Sequence, residues 1–298
     1  MLAEPQLDRA ALVEAVRTSY GVSPVSLRFI PVGWTSVSYE LQTDDTRYFL
    51  KLTDQTSRLP LVRRLHELGF RARLPYPMET LDGRLSAHTP AGEAVLSPFL
   101  PGTTPPGWPS WSDAVLDELG RALADLHATP PPVPLPQEQF AFDVVPDLPR
   151  AVLTRLEQLQ YVVRRLSQPL VLCHTDLIGD NLLVDEDGRL SALDWDDAKL
   201  APPESDLALL LHGEQPVDDH ALRRVLSVYS GPLEIDRFAF FLLRRYAEDY
   251  SARVRRLEQG GLSPADLEEA RAGMVTWGSA QWSRLDRTLD LVRASLDA

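Results

Sequence analysis

Residues 171–184 read Val171-Leu172-Cys173-His174-Thr175-Asp176-Leu177-Ile178-Gly179-Asp180-Asn181-Leu182-Leu183-Val184. An Asp185-Glu186-Asp187-Gly188 turn follows, then Leu190-Ser191-Ala192-Leu193-Asp194-Trp195-Asp196 and, further on, Glu204-Ser205-Asp206-Leu207-Ala208. Two short apolar runs, 181–184 and 190–193, joined by an acidic turn that ends in glycine, predict a β-hairpin. Asp176 and Asn181 bracket a four-residue loop that leads into the first strand. Asp194 ends the second strand, and hairpin register carries it toward the end at which Asn181 lies. Two carboxylates and an amide oxygen make an all-oxygen donor set suited to a hard cation such as Mg²⁺, which leaves its other positions to water and phosphate.

Outward from this block the texture divides. Residues 8–20 have helical spacing, with Asp8 as N-cap and Gly21 as stop. Short strands are predicted over 26–32, 37–41 and 47–52, then a helix over 58–68 ending at Gly69. Two more strands are predicted near 79–85 and 94–98, with Asp82-Gly83 as the turn between them. A breaker cluster, Pro101-Gly102-Thr103-Thr104-Pro105-Pro106-Gly107, closes this part. Beyond it the pattern is mostly helical: 112–127, 148–167, 218–230, 235–258 and 264–296, with a proline-rich connector over 130–136. The expectation is an α+β chain with a β-rich unit over 1–98 and a helical unit over 99–298.

The 298 residues carry 44% hydrophobic and 24% charged side chains, a globular composition. A net charge of −13 repels polyanions, so neither nucleic acid nor an acidic membrane is an expected partner, and small cations are attracted. No apolar run approaches the ~18–20 residues of a membrane span. Met1-Leu2-Ala3-Glu4-Pro5 shows no basic stretch leading into an apolar one, so the expected location is cytoplasmic. The single cysteine, Cys173, excludes intrachain disulfides and cysteine-based zinc sites. The only lysines are Lys51 and Lys199, in a chain whose other basic residues are all arginine. Lys51 falls on the third strand, whereas Lys199 has no motif around it and is expected at the surface.

The His-x-Asp-x-x-x-x-Asn spacing followed by a hairpin and Asp resembles the catalytic and metal loops of protein-kinase-like phosphotransferases. Trp195 and the Glu204–Ala208 stretch are similar to the aminoglycoside phosphotransferase family. Asp194–Asp197, Leu200–Leu207 and Phe241–Tyr250 look most like its spectinomycin-phosphorylating members. The resemblance runs from Gly33 to about Tyr250, with 171–208 its specific part. It implies a bilobal kinase-like fold in which ATP and Mg²⁺ serve phosphoryl transfer to a substrate hydroxyl. Asp176 would be the catalytic base, Asn181 and Asp194 would hold Mg²⁺, and Lys51 would pair with the α/β-phosphates. His174 would brace the loop, and Asp206 would tether its backbone. Thr35 and Ser36 would donate to the phosphates in place of a Gly-x-Gly-x-x-Gly loop, absent here. The Ser97 carbonyl and Phe99 N–H would face adenine. In a register one residue later, Pro98 would supply the acceptor and Leu100 the donor.

Residues 57–66 hold no acid to orient Lys51, the nearest being Asp54 and Glu67. Lys51 is therefore expected to be held differently, or to be ordered by nucleotide. An amine-bearing acceptor such as spectinomycin or another aminoglycoside calls for acids, and Asp196, Asp197, Glu248 and Asp249 are the candidates. Adjacent acids on a helix point about 100° apart, so at most one of Glu248 and Asp249 faces a ligand squarely. The competing reading of that pair is a helix face tied to Arg244, Arg245 or Arg253. The alternatives for the whole chain are a metabolic kinase of choline, ethanolamine, homoserine or a sugar, and a catalytically silent nucleotide-binding protein. The sequence does not specify an oligomeric state.

Overall fold

The computed structural model describes residues 4–31, 36–105, 111–166, 170–177, 179–213, 219–229 and 231–296. In chain order its elements begin α1 (Arg9–Tyr20), β1 (Ser26–Ile30), β2 (Val37–Gln42), β3 (Arg47–Leu52), α2 (Leu59–Glu67), β4 (Ala87–Thr89) and β5 (Gly92–Pro98). There follow α3 (Asp113–Ala128), α4 (Arg150–Val163), β6 (Val171–Cys173), β7 (Leu182–Val184), β8 (Leu190–Ala192) and β9 (Lys199–Ala201). The last are α5 (Glu204–Leu207), α6 (Asp219–Val228), α7 (Ile235–Gln259), α8 (Pro264–Met274) and α9 (Ala280–Leu296). By their contacts the residues divide into two compact units, Met1–Thr103 with Leu182–Asp197, and Thr104–Asn181 with Ala198–Ala298.

The first unit is built on an antiparallel sheet of order β1-β2-β3-β5-β4. Helix α1 starts as its sequence predicts, with the Asp8 carboxylate accepting from the Ala11 N–H at 3.0 Å, and it ends at Gly21 with φ 68°. Its Leu12, Val16 and Tyr20 pack with Tyr39, Leu41, Leu50 and Leu96 of the sheet to form the core. Residues 79–85, expected as a strand, fold back as a closed turn. The Thr80 N–H donates to the Arg84 carbonyl and the Arg84 N–H to Thr80 Oγ1, both at 2.8 Å. A threonine hydroxyl that satisfies local backbone competes with a sheet ladder. The hairpin partner of β5 is instead β4, turned at Thr89–Gly92.

The β7–β8 hairpin was expected in the helical part, yet its contacts place it with the first unit, whose boundary falls at Thr103. The backbone of Arg73 exchanges hydrogen bonds with Leu190 and Ala192 (2.9 and 3.0 Å), and Thr103 does so with Val184 (3.0 and 2.9 Å). Gly102, at φ 118°, permits that second contact: a Cβ there would sit 2.8 Å from the Val184 carbonyl. Arg73 also reaches Asp185 through its side chain at 2.5 Å.

In the second unit α7 is the long central element, packed by α4, α8 and α9. Its Phe238, Phe240, Phe241, Leu242, Leu243 and Tyr246 are buried. The expected helix 264–296 is interrupted by a π-turn at Val275–Ser279. Strands β6 and β9, not anticipated as a pair, hydrogen-bond antiparallel with Cys173 opposite Lys199. Lys199 is partly covered there, its Nζ 3.8 Å from the buried Glu138 carboxylate, which Arg244 also binds at 3.0 Å. Among the described residues no helix is long and apolar enough to cross a membrane.

Candidate active site

In the first unit Lys51 stands on β3 opposite Val95 of β5 and Ser38 of β2. Its Nζ donates to Asp194 Oδ1 at 3.1 Å and to Asp196 Oδ2 at 2.8 Å. These two acids replace the missing helix acid. Glu67 is taken up on its own helix by Arg63 (3.0 Å) and Arg64 (2.9 Å). Between the two acids Trp195 is buried, its Nε1–H donating to the Ala192 carbonyl at 3.0 Å and its ring edge-on to Phe70. The anchored indole fixes the segment so that both flanking carboxylates reach one ammonium. Asp194 itself has φ 56°, a left-handed conformation that Asp tolerates better than most residues.

Burial pulls the Lys51 ammonium down, but Asp194 and Asp196 outweigh it and hold the group above its ordinary range. Burial pushes the Asp196 carboxyl up, with Asp194 adding to the effect against the pull of Lys51. Two carboxylates against one ammonium leave a surplus negative charge beside Asp194, which fits a divalent cation. Asp196, expected as a substrate acid, is thus committed to Lys51. Asp197 is exposed.

At the hinge after β5 the backbone groups expected to face adenine are directed at β3. The Phe99 N–H donates to the Arg47 carbonyl at 3.3 Å, so it points at β3. Antiparallel ladders alternate direction with period two, so the Ser97 carbonyl, opposite Phe49, points the same way. The Leu96 carbonyl faces the other side, where it accepts from the Met78 N–H at 2.8 Å. By the same alternation the carbonyl of Pro98, the last residue of β5, faces away from β3, as the later of the two registers requires of its acceptor; Leu100 lies beyond the ladder. Ser36 lies just before β2, half-buried; Thr35 lies outside the described residues.

In the second unit the loop after β6 presents Asp176. Asp206 ties its backbone, accepting from the His174 N–H at 3.0 Å and the Thr175 N–H at 2.6 Å. Thr175 is held at φ 67°, a strained position for a β-branched residue. His127 Nε2–H donates to the same Asp206 at 3.0 Å, and the Tyr229 hydroxyl meets His127 Nδ1 at 3.1 Å. Burial pushes Asp206 up, but His127 and the loop N–H groups outweigh it and hold the carboxyl below its usual range. Cys173 adjoins this cluster, and burial raises its thiol well above the ordinary value. A neutral thiol beside a carboxylate saturated by donors reads as a structural knot, not a metal site.

The Asp176 N–H donates to His174 Nδ1 at 3.3 Å. Asn181 Nδ2 donates to the Asp176 carbonyl (2.7 Å) and to Asp176 Oδ2 (2.9 Å). Both amide hydrogens of Asn181 are thereby directed at Asp176. Its side-chain oxygen, which accepts only, is the atom suited to a cation. Arg245 Nη1 donates to Asp176 Oδ1 at 2.9 Å, a contact the sequence did not reveal. Asp249 accepts from Arg245 Nε at 3.1 Å and from His212 Nε2 at 2.8 Å. Glu248 accepts from the Asp143 N–H at 3.3 Å, and burial pushes its carboxyl up. Lys51, Asp194 and Asp196 are thus brought together in one unit, and Asp176 and Asn181 in the other.

Comparison with known proteins places this geometry. A family model described as "Phosphotransferase enzyme family" matches residues 26–241, and the chain belongs to that family. Among solved structures, spectinomycin phosphotransferase APH(9)-Ia in complex with ADP and spectinomycin matches at TM-score 0.75 and 18% identity, covering 99% of this chain and 100% of that one. Choline kinase LicA from Streptococcus pneumoniae matches at TM-score 0.64 and 15% identity, covering 94% and 97%. Macrolide 2'-phosphotransferase MphH from Brachybacterium faecium matches at TM-score 0.60 and 18% identity, covering 89% and 97%. The fold is the α+β, protein-kinase-like fold of these enzymes, and the chain is a phosphotransferase.

Proposed function

We propose that the chain transfers the γ-phosphoryl group of MgATP to a hydroxyl of a small molecule, with Asp176 as the base. The observation that carries this is the grip on Asp176. Its loop is tied through two backbone N–H groups by Asp206, and its carboxylate is fixed by Asn181 and Arg245 on separate oxygens. Phosphoryl transfer draws mainly on positioning and charge neutralisation, and such a carboxylate can orient an acceptor hydroxyl and take its proton. Lys51 supplies a fixed positive charge for the nucleotide phosphates. Asn181 and Asp194 would hold Mg²⁺, which when bound neutralises developing charge on the phosphates. The Pro98 carbonyl and the Leu100 N–H, the later of the two hinge registers, would hold adenine.

For the acceptor, the resemblance and the net charge of −13 favour an amine-bearing compound, spectinomycin or another aminoglycoside, and so a resistance function. A second reading rests on the charges already spent: Asp196 is paired with Lys51, and Asp249 with Arg245 and His212. That balance favours a sparsely charged acceptor, such as an amino alcohol with one cation or a sugar. ADP release from MgATP across spectinomycin, aminoglycosides, choline, ethanolamine, homoserine and simple sugars tests both, with Asp176→Asn as control. Stimulation by an aminocyclitol, lost in the control together with a resistance phenotype, is the expected result. Stimulation by choline or a sugar supports the second reading. Turnover that survives Asp176→Asn removes the base assignment.

A further inference from the structure

We infer that Arg245 is a positioning residue for the Asp176 carboxylate and that Asp249, His212 and Trp277 hold it in place. The inference rests on the reading of Asp176 as base. Arg245 Nη1 meets Oδ1 and Asn181 Nδ2 meets Oδ2, each at 2.9 Å. Two donors on different oxygens fix the carboxylate against rotation about its own axis. Each oxygen keeps a second lone pair, so acceptor capacity for a hydroxyl remains.

Arg245 is itself fixed one helical turn on. Its Nε donates to Asp249 Oδ2 at 3.1 Å, and the same oxygen takes His212 Nε2–H at 2.8 Å. The His212 ring stacks with Trp277, at 5.1 Å and 16°, and with Tyr246, at 5.7 Å and 27°. Trp277 belongs to the π-turn Val275–Ser279, which breaks the regular helix at the residue that stacks on His212. Single π-turns inside helices occur frequently at functional sites. Burial pulls the Arg245 guanidinium down, but Asp249 and Asp176 outweigh it, so the clamp stays charged. The planar fork offers Nη1 to Asp176 and Nε to Asp249 in a fixed relative geometry. In this arrangement Asp249 acts on the reaction through Arg245 and not by holding the acceptor.

The test is steady-state kinetics of the full chain with MgATP and the most active acceptor of the panel, read as kcat and KM separately. Arg245→Ala should lower kcat about a hundredfold, the scale of a slightly misplaced reacting group. The KM for ATP should stay within about twofold, because nucleotide binding needs only the other residues named above. Arg245→Lys should recover part of the loss. Asp249→Asn should lower kcat about tenfold without raising the acceptor KM, in line with loss of one charge-assisted hydrogen bond. The double variant should be no slower than Arg245→Ala, since both changes act on one chain of contacts. Wild-type kcat in Arg245→Ala, with Asp176→Asn inactive, overturns the positioning role alone; activity in Asp176→Asn removes the base reading beneath it. An Asp249→Asn variant with raised acceptor KM and unchanged kcat also overturns the inference. A crystal structure of Arg245→Ala gives a check independent of turnover. Asp176 should leave Asn181, and an unmoved carboxylate contradicts the proposal.

Discussion

Lys51 shows how one side chain can be held by a different element from the one a motif suggests. Its ammonium sits between two carboxylates from the segment after β8, with Trp195 locked between them. The geometry calls for a compact charge, since the Nζ contacts converge from two directions at 3.1 and 2.8 Å. Arginine at this position would keep the charge but add length and a planar fork that cannot occupy the same point. Lys51→Arg should therefore raise the KM for ATP about tenfold, equivalent to losing one good charge-assisted hydrogen bond, with a smaller effect on kcat. Initial-rate measurements at saturating acceptor check this, and an unchanged KM would make Lys51 a bystander.

At the scale of elements, the loop after β6 is tied from outside by α3 and α5. His127 of α3 and Asp206 of α5 join, and Asp206 takes two loop N–H groups, so a strained Thr175 is held in place. His127, His174 and Asp206 are buried, and removing Asp206 takes a charged acceptor from His127 and from two loop N–H groups. Asp206→Ala should destabilise the fold by about 3–5 kcal/mol, the cost of breaking a buried charged pair from one side. Chemical denaturation read by circular dichroism would measure it. A change below about 1 kcal/mol, the scale of an exposed pair, would show that the loop holds its shape without the tether.

For the whole molecule, the buried acids fall into two groups of opposite sign. Burial holds Glu204, Glu248 and Asp196 above their ordinary values. These groups weaken the fold at neutral pH, and stability returns as pH falls through their raised values toward 4.5 and 3.8, the ordinary values for Glu and Asp. Asp206 and Asp249 go the other way: burial is outweighed by His127 for the first and by His212 and Arg245 for the second, so both carboxyls lie below 3.8. Their contribution is complete above 3.8 and is lost as pH falls through the lowered values. Partial relief of the net charge of −13 on mild acidification adds to the first effect. The melting temperature should hold or rise from pH 7 toward 4.5 and drop steeply below 3.8. A monotonic fall from pH 7 downward in a calorimetric series would contradict this.

What could be read directly was what lies close together along the chain. The Asp176–Asn181 spacing, the hairpin after it, the capped helix 8–20 and the strands around Lys51 are local patterns, and periodicity and turn chemistry suffice to find them. Tertiary structure decided what depends on distant pairing. The partners of Lys51 lie 143 and 145 residues on, and Arg245 lies 69 residues from Asp176. No local rule links such positions, because long side chains meet only after strands and helices pack. The hinge register was open for a related reason: which backbone groups face outward is set by pairing with β3, not by the residues of β5 themselves. The same holds for the pairing of Asp196 with Lys51 and of Asp249 with His212, whereas the Asp249–Arg245 pair, one helical turn apart, was among the local readings. Composition supplied the charges, and packing determined which of them were already paired.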